Sequence, residues 1–215
     1  MTKTEYESMI SVHGIRTKLS GFRSLSTSPL LNALCIGRHN NPKLICSSCY
    51  SVTYNNMREG LRNKLARNTE SLTKEVIPYE SIPVINDRYF RIESFGDLQN
   101  VNQAINYLNF IRKNPETNFG WWTKNPNFIK QALKALNIEK PENVQIILSA
   151  CGLNVGIKLE TVKKAFPFVD KVFTVYDSKY IKENDIEINC GTRKCKDCLN
   201  CYKSGGFTQV NEKKK

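Results

Sequence analysis

The chain has 215 residues, of which 40% are hydrophobic and 24% charged, and 32 lysines and arginines against 20 acidic residues give a net charge of +12. This composition is typical of one folded domain with a hydrophobic core. The sequence has no apolar run of about 18 residues and therefore predicts no membrane span. The start of the chain, Met1–Glu7, lacks the apolar segment of a signal peptide. We therefore expect a cytoplasmic protein without a membrane partner, whose cysteines stay reduced. The basic charge is compatible with a nucleic-acid partner, but no nucleic-acid motif accompanies it, and a solvated basic surface is the simpler interpretation.

In chain order, short strands alternate with amphipathic helices. A first strand is expected at Phe22–Leu25, and a long helical stretch follows from about Tyr54 to Val76. The segment Arg88–Glu93 has the composition of a second strand. After it, apolar residues recur with the spacing of one helix face, namely Val101, Ala104, Ile105, Leu108 and Ile111.

The second half of the chain repeats this alternation. Phe119–Thr123 is a predicted strand, and Asn125-Pro126 then begins a helix with an apolar stripe. Val144–Ser149 is almost continuously apolar, as is typical of a parallel strand buried on both faces. A helix around Lys158–Ala165 and a strand at Lys171–Tyr176 complete the pattern.

Repeated strand–helix units predict an α/β protein with a mainly parallel sheet and right-handed crossovers. A complete eight-unit barrel needs about 250 residues, so we expect a partial (β/α) barrel or an open, mainly parallel sheet of roughly five or six strands. The cysteines near the end of the chain predict a C-terminal metal-binding annex. The chain then divides into residues 1–180, a core domain with the first cysteine group, and residues 181–215, a cysteine-rich segment with a basic tail.

Polar residues follow the predicted strands at the point where each strand ends. Ligands gather at this edge of parallel α/β folds, so we expect a pocket there. Its predicted lining is Ser94, Gly96, Asp97, Thr123, Lys124, Asn125 and Ser149. Such residues also serve as plain caps and turns, but the first cysteine group should open onto the same face and favours the functional interpretation.

Seven of the eight cysteines form two groups. The first contains Cys35, Cys46 and Cys49, with His39 as a spare ligand. Its Cys-x2-Cys spacing lets two thiolates reach one metal centre, although redox dithiols and zinc knuckles share it. The remaining cysteine, Cys151, follows a buried type of strand, so we expect it in the core.

The second group is Cys190, Cys195, Cys198 and Cys201. Its overlapping Cys-x2-Cys spacings match the start of the bacterial ferredoxin run that holds a [4Fe–4S] cluster, whereas structural zinc usually uses two separated knuckles. We therefore expect one or two [4Fe–4S] clusters, with zinc as the alternative metal. Two allocations stay open, since Cys190 could either complete its own group or serve as a ligand of the first site.

Three motifs together resemble the gene product 88 family of phage proteins. They are Cys46-Ser-Ser-Cys49-Tyr50 before a helix, Arg91-Ile-Glu-Ser-Phe-Gly-Asp97 and Trp122-Thr-Lys-Asn-Pro126, and the resemblance runs from about Ser24 to Ser149.

That family is in turn distantly similar to radical S-adenosylmethionine (SAM) enzymes. The resemblance implies that Cys35, Cys46 and Cys49 hold an open [4Fe–4S] cluster, with Tyr50 beside it. Ser94, Gly96 and Asp97 would occupy the position of the loop that binds the amino group of SAM. The chain departs from the Cys-x3-Cys-x2-Cys signature of those enzymes, because the ten residues 36–45 separate the first two cysteines.

Two functions of different classes follow. The first is an iron–sulfur protein of radical-SAM-like architecture, a SAM-dependent oxidoreductase or transferase with an unidentified substrate and an electron donor as partners. In it, Glu93, Ser94, Asp97, Lys124 and Asn125 shape the ligand pocket, and the C-terminal cluster relays an electron or holds substrate. The second is a non-enzymatic binding module that zinc or a cluster stabilises. Such a module would contact nucleic acid through the basic surface.

Overall fold

The computed structural model describes residues 10–14 and 17–214. The segment Met1–Glu7, from which we predicted the absence of a signal peptide, lies outside the described residues. Within the described part of the chain, no helix is both long and apolar enough to span a membrane.

The described residues form one seven-stranded sheet in which each strand lies beside its neighbours in sequence. Only β1 runs antiparallel to its neighbour, β2, and all the other pairs are parallel. The strands are β1 (His13–Gly14), β2 (Arg23–Leu25), β3 (Tyr89–Ile92), β4 (Asn118–Thr123), β5 (Val144–Ser149), β6 (Lys171–Tyr176) and β7 (Gln209–Lys213). The predicted α/β class with a mostly parallel sheet is confirmed. The predicted strand number was too low, because β1 is only two residues long and β7 is polar.

Helices occupy the connections between strands. They are α1 (Ala33–His39), α2 (Tyr50–Met57), α3 (Glu59–Lys74), α4 (Val101–Lys113), α5 (Pro126–Leu136), α6 (Leu159–Ala165), α7 (Ser178–Asn184) and α8 (Cys195–Cys198). The single helix predicted from about Tyr54 to Val76 is wrong, because Arg58 is extended, with φ −129° and ψ 93°, and separates α2 from α3. The weak helix formers Asn56 and Gly60 flank this break.

One face of the sheet packs against helices and contains the core. Side chains alternate along a strand, so Phe90 of β3 and Phe119 and Trp121 of β4 share this helix face. All three are fully buried, and the Trp121 ring packs edge-on against Tyr107 of α4, with centroids 5.6 Å apart. The apolar stripes predicted for α4 and α5 are confirmed as buried or partly buried against this core.

The opposite face of the sheet is covered by the C-terminal cysteine segment. Tyr202 is buried there, with its ring centroid 4.8 Å from Phe22, 6.1 Å from Tyr89 and 6.0 Å from Trp122. Gly120 of β4 lies directly beneath, where a Cβ would be 2.8 Å from the carbonyl oxygen of Cys201. The segment therefore packs on the sheet itself.

The segment then returns to the sheet as its last strand. β7 pairs in parallel with β6, so a separate C-terminal annex is not confirmed. Lys213, in the predicted basic tail, belongs to β7, and Lys214 donates its backbone N–H to the Tyr176 carbonyl at 2.7 Å. The domain boundary at residue 180 stays a prediction.

Candidate functional site

The first cysteine group lines a shallow cleft at the carboxyl ends of β3 and β4. Cys35, Cys46 and Cys49 are all half-buried. The lining also contains Pro29, Arg38, Ser51, Val52, Gly96, Asp97 and Lys124. The structure thus brings the three predicted ligands and three of the predicted strand-end residues to one cleft.

Local hydrogen bonds position the thiols. Asn32 caps α1, and its side-chain oxygen accepts from the N–H groups of Leu34 at 3.0 Å and Cys35 at 3.2 Å. The Cys49 N–H donates to the carbonyl of Cys46 at 3.1 Å, which closes the Cys-x2-Cys turn. His39, predicted as a spare ligand, has its Nδ1 3.0 Å from the same carbonyl oxygen. In this arrangement the histidine supports the turn that carries Cys46.

Cys151 lies beside this cleft, and its predicted place in the core is wrong because it is half-buried. The loop after β5 is tied to the cysteine loop, since the Ile45 N–H donates to the Cys151 carbonyl at 3.0 Å and Leu44 forms an antiparallel bridge with Gly152. Burial raises the pKa of Cys46, the charge of Lys124 opposes that rise, and the Cys151 thiol adds to it. Cys151 is therefore a fourth thiol near the first group.

Asp97 connects the strand-end loops through hydrogen bonds to its carboxylate. Its carboxylate accepts hydrogen bonds from the Thr123 hydroxyl at 2.7 Å, the N–H groups of Leu98 at 2.8 Å and Lys124 at 3.0 Å, and the Arg38 guanidinium at 3.3 Å. Two carboxylate oxygens offer about four lone-pair positions, and these four donors of the chain occupy them. Asp97 thus joins the ends of β3 and β4 to α1 beneath the cleft.

Glu93 is buried below the cleft rather than on its wall. Its carboxylate accepts from the hydroxyl of Tyr107 at 2.6 Å, from Gln103 at 2.8 Å, and from the hydroxyl and N–H of Thr27 at 2.7 and 3.1 Å. Burial raises its pKa to about 7, although the hydrogen bonds from Tyr107 and Thr27 oppose the rise. Glu93 also has a φ of +56°, which marks the sharp turn out of β3.

Ser94 is also buried, within a chain of hydroxyl groups. Its Oγ lies 3.0 Å from Ser26 Oγ and 3.3 Å from Nε2 of buried His13, whose pKa burial lowers to about 4. Tyr50 donates its hydroxyl hydrogen to the Ser94 carbonyl, while more than half of Tyr50 is exposed. Ser94 therefore positions the tyrosine that follows Cys49.

The other strand-end residues meet beside the thiols. The ammonium of Lys124 donates to the Ser149 hydroxyl at 3.0 Å, and Arg38 donates to the side-chain oxygen of Asn125. Among the described residues, Lys124 forms no ion pair with a carboxylate, whereas Arg38 pairs with Asp97. Lys124 consequently brings a positive charge to the cleft.

The second cysteine group lines a shallow cleft on the sheet face that faces away from the helix core, together with Lys18, Arg193, Tyr202 and Val210. Lys18 lies between Glu212, at 2.6 Å, and the Sγ of Cys190, at 3.7 Å. The Cys190 N–H donates to the Asn211 carbonyl at 3.0 Å, which ties the start of the group to β7.

Burial keeps several of these thiols protonated. It raises the pKa of Cys35 far above its ordinary value, with Asp97 adding to the rise, and raises the pKa of Cys201 to about 12 against the charge of Arg91. A metal that binds thiolates must therefore displace these protons. Across residues 10–14 and 17–214, no three or more His, Cys, Asp or Glu side chains are arranged to hold a metal ion.

The fold and its clefts define an α/β protein with a largely parallel sheet, one thiol-lined cleft at the carboxyl ends of its strands and a second lined by the C-terminal cysteine segment. The chain belongs to the gene product 88 family, whose model matches residues 27–214. This match includes both cysteine groups and extends beyond the region in which we recognised the phage family's motifs. No curated protein and no solved structure matches the chain. The similarity to radical SAM enzymes stays a prediction.

Two functional candidates were missed in the sequence. Arg38 lies in the first cleft and contacts Asp97 and Asn125, and its spacing of three from Cys35 on a helix was the available signal. Arg91, on β3, was noticed only as part of a motif. Its position beside the second cysteine group depends on the strand pairing.

Proposed function

We propose that the chain is an iron–sulfur protein with a radical-SAM-like arrangement, in which Cys35, Cys46 and Cys49 hold an open [4Fe–4S] cluster. The observation that carries this proposal is that the three thiols line a single cleft at the carboxyl ends of parallel strands. The donor set fits, because cysteine thiolates are the ligands of such clusters. Three thiolates for four irons leave one iron available to a ligand. The C-terminal cysteines hold a second, closed cluster.

An open cluster supplies one electron to a bound sulfonium such as SAM. The residues around it have separate tasks. Lys124 and Ser149 provide a cation and a hydroxyl that bind the carboxylate of the amino-acid end of SAM. Asp97 holds the loops in position, since its own oxygens already accept from the chain. Tyr50, which follows Cys49, is more than half exposed, and its hydroxyl donates to the Ser94 carbonyl and so ties the Cys49 turn to the loop after β3.

The decisive experiment is anaerobic purification with iron, acid-labile sulfide and zinc quantified per chain. We expect about eight irons and eight sulfides, and an electron paramagnetic resonance spectrum that changes when SAM is added. Replacing Cys35, Cys46 and Cys49 together by Ala should remove about half of the iron and the whole effect of SAM. Replacing Cys190, Cys195, Cys198 and Cys201 together should remove the other half and keep the effect of SAM. Zinc with negligible sulfide would overturn the proposal.

A second candidate function is a metal-stabilised binding module without catalysis. The saturated carboxylate of Asp97 favours it, because a residue at the expected amino-group position acts within the fold. Zinc would then stabilise the cysteine loops. This candidate predicts about two zinc ions per chain, no response to SAM and cooperative unfolding when the metal is removed by a chelator.

A further inference from the structure

Arg91 occupies the face of the sheet that the cysteine segment covers. Its neighbours on β3, Phe90 and Ile92, are buried on the helix face, so the alternation of the strand directs Arg91 to the opposite side. The guanidinium carbon lies 3.1 Å from the centroid of the Trp122 ring, and Nε donates to the carbonyl of Glu93 at 3.1 Å. The arginine is thus half-buried and held in one place by two contacts.

This guanidinium has no acidic partner within the described part of the chain. Arg23, Arg38 and Lys18 each pair with a carboxylate, but no such ion pair involves Arg91. A half-buried cation that is stacked on an aromatic ring and unpaired favours an anion nearby. The position therefore indicates an anionic group other than the carboxylates of residues 10–14 and 17–214.

The strand register identifies what lies next to Arg91. Arg91 pairs across the sheet with Gly120, and the carbonyl of Cys201 lies directly over Gly120, 2.8 Å from where a Cβ would be. The following residue, Tyr202, packs its ring 6.0 Å from Trp122, on which the guanidinium is stacked. Arg91 consequently borders the end of the second cysteine group.

Two other cations line the cleft of these cysteines. Lys18 is neutralised by Glu212 at 2.6 Å. Arg193 lines the same cleft and is exposed to solvent, which screens its charge.

We propose that Arg91 is the counter-ion of an anionic metal–thiolate centre formed by Cys190, Cys195, Cys198 and Cys201. Four thiolates around a cluster or a divalent metal leave a net negative charge, and a fixed guanidinium on a low-dielectric sheet face stabilises it. Reduction of a cluster adds one more negative charge. Arg91 therefore favours the reduced form and raises the reduction potential of the C-terminal centre. This inference rests on the proposed function only in requiring a metal at that site.

The test compares variants of the full chain in which Cys35, Cys46 and Cys49 are replaced by Ala, so that bound iron belongs to the C-terminal site. Potentiometric titration should show that Arg91→Gln makes the reduced form about tenfold less stable, a fall of about 59 mV for one electron. Arg91→Lys keeps the charge and should recover most of the loss. Arg62→Gln, an exposed position on α3 outside both clefts, is the matched control and should leave the potential unchanged.

The outcomes are separable. An Arg91→Gln protein that binds iron with the potential of the control overturns the inference and leaves the proposed function standing. A parent chain that binds no metal through the C-terminal cysteines overturns this inference and the second, closed cluster, whereas the iron content of the wild-type chain decides the open cluster at Cys35, Cys46 and Cys49. If circular dichroism shows that Arg91→Gln is unfolded, Trp122→Leu takes its place, because losing the ring that holds the guanidinium should lower the potential in the same direction. If the bound metal is zinc, Arg91→Gln should weaken cobalt(II) binding by about tenfold, and unchanged binding overturns the inference.

Discussion

The hydroxyl of Thr123 donates to a carboxylate oxygen of Asp97 at 2.7 Å, and this bond joins the end of β4 to the loop that follows β3. Both side chains are buried. The same carboxylate also accepts from Lys124 N–H and Arg38, so one acidic residue fixes the floor of the first thiol cleft.

Asp97→Asn should therefore destabilise the fold whether or not the protein binds SAM. The substitution puts an amide NH2 where one oxygen accepted hydrogen bonds, leaving buried donors without an acceptor. We expect the free energy of unfolding to fall by about 1–3 kcal/mol in urea titrations. Thr123→Val removes the hydroxyl that donates to Asp97 and accepts from the Asn125 N–H at 2.9 Å, so it should cost about 1–3 kcal/mol. An unchanged urea midpoint for Asp97→Asn would show that the network does not stabilise the strand ends.

Lys124→Met should separate ligand binding from folding. Within the part of the chain that the structure describes, the Lys124 ammonium hydrogen-bonds only to the Ser149 hydroxyl, so its loss should change stability little. We expect the affinity for SAM, measured by isothermal titration of the iron-loaded protein, to fall by roughly 10- to 100-fold. Affinity for 5′-methylthioadenosine, which has no carboxylate, should be unaffected. Equal losses for both ligands would argue against a carboxylate site at Lys124, and Lys130→Met on α5 serves as the control.

Glu93 should make stability depend on pH. Its pKa rises from an ordinary 4.5 to about 7 in the folded chain, chiefly through burial, with Asp97 adding to the rise. Below about pH 4.5 the carboxyl is protonated in both states. Between about 4.5 and 7 only the folded chain keeps the proton, so the free energy of unfolding falls as pH rises. In total the free energy of unfolding falls by on the order of 3 kcal/mol, and this fall is complete above about pH 7.

Glu93→Gln tests this dependence. A glutamine at this position cannot ionise, so the variant should not lose stability in this way. The unfolding free energy of the variant minus that of the wild type should therefore become more positive from pH 4.5 to 7. Urea titrations at several pH values measure the difference, with exposed Glu160→Gln as the control. A difference that stays constant over this range would contradict a raised pKa.

Gly120→Ala should disturb the C-terminal cysteine segment selectively. The added Cβ would lie 2.8 Å from the Cys201 carbonyl oxygen and 2.9 Å from the Tyr202 ring. Overpacking of this kind costs roughly 1–3 kcal/mol. We expect iron to be lost first from the C-terminal site, while the SAM-sensitive signal remains. Gly60→Ala, where a Cβ would meet nothing within 4 Å, should leave both sites loaded. Full iron content in the Gly120→Ala protein would contradict the close packing.

The interior strands and amphipathic helices could be predicted from local patterns. Val144–Ser149 and Lys171–Tyr176 were identified with their observed bounds, and the stripe of α4 is buried as expected. These patterns repeat every two or about 3.6 residues, so a short window of sequence contains the information. The predicted helix across Arg58 was wrong because one extended residue interrupts an otherwise helical pattern.

The sequence by itself determined the α/β class, the two cysteine groups and the strand-end position of the first group. Only the tertiary structure decided that β7 completes the sheet, that Asp97 binds the chain's own donors, and that Arg91 borders Cys201. The physical reason is that these features depend on hydrogen bonds and packing between segments far apart in the chain. A polar strand such as β7 is stabilised by pairing with β6, and a charge such as that of Arg91 acquires its role from the segment folded over it.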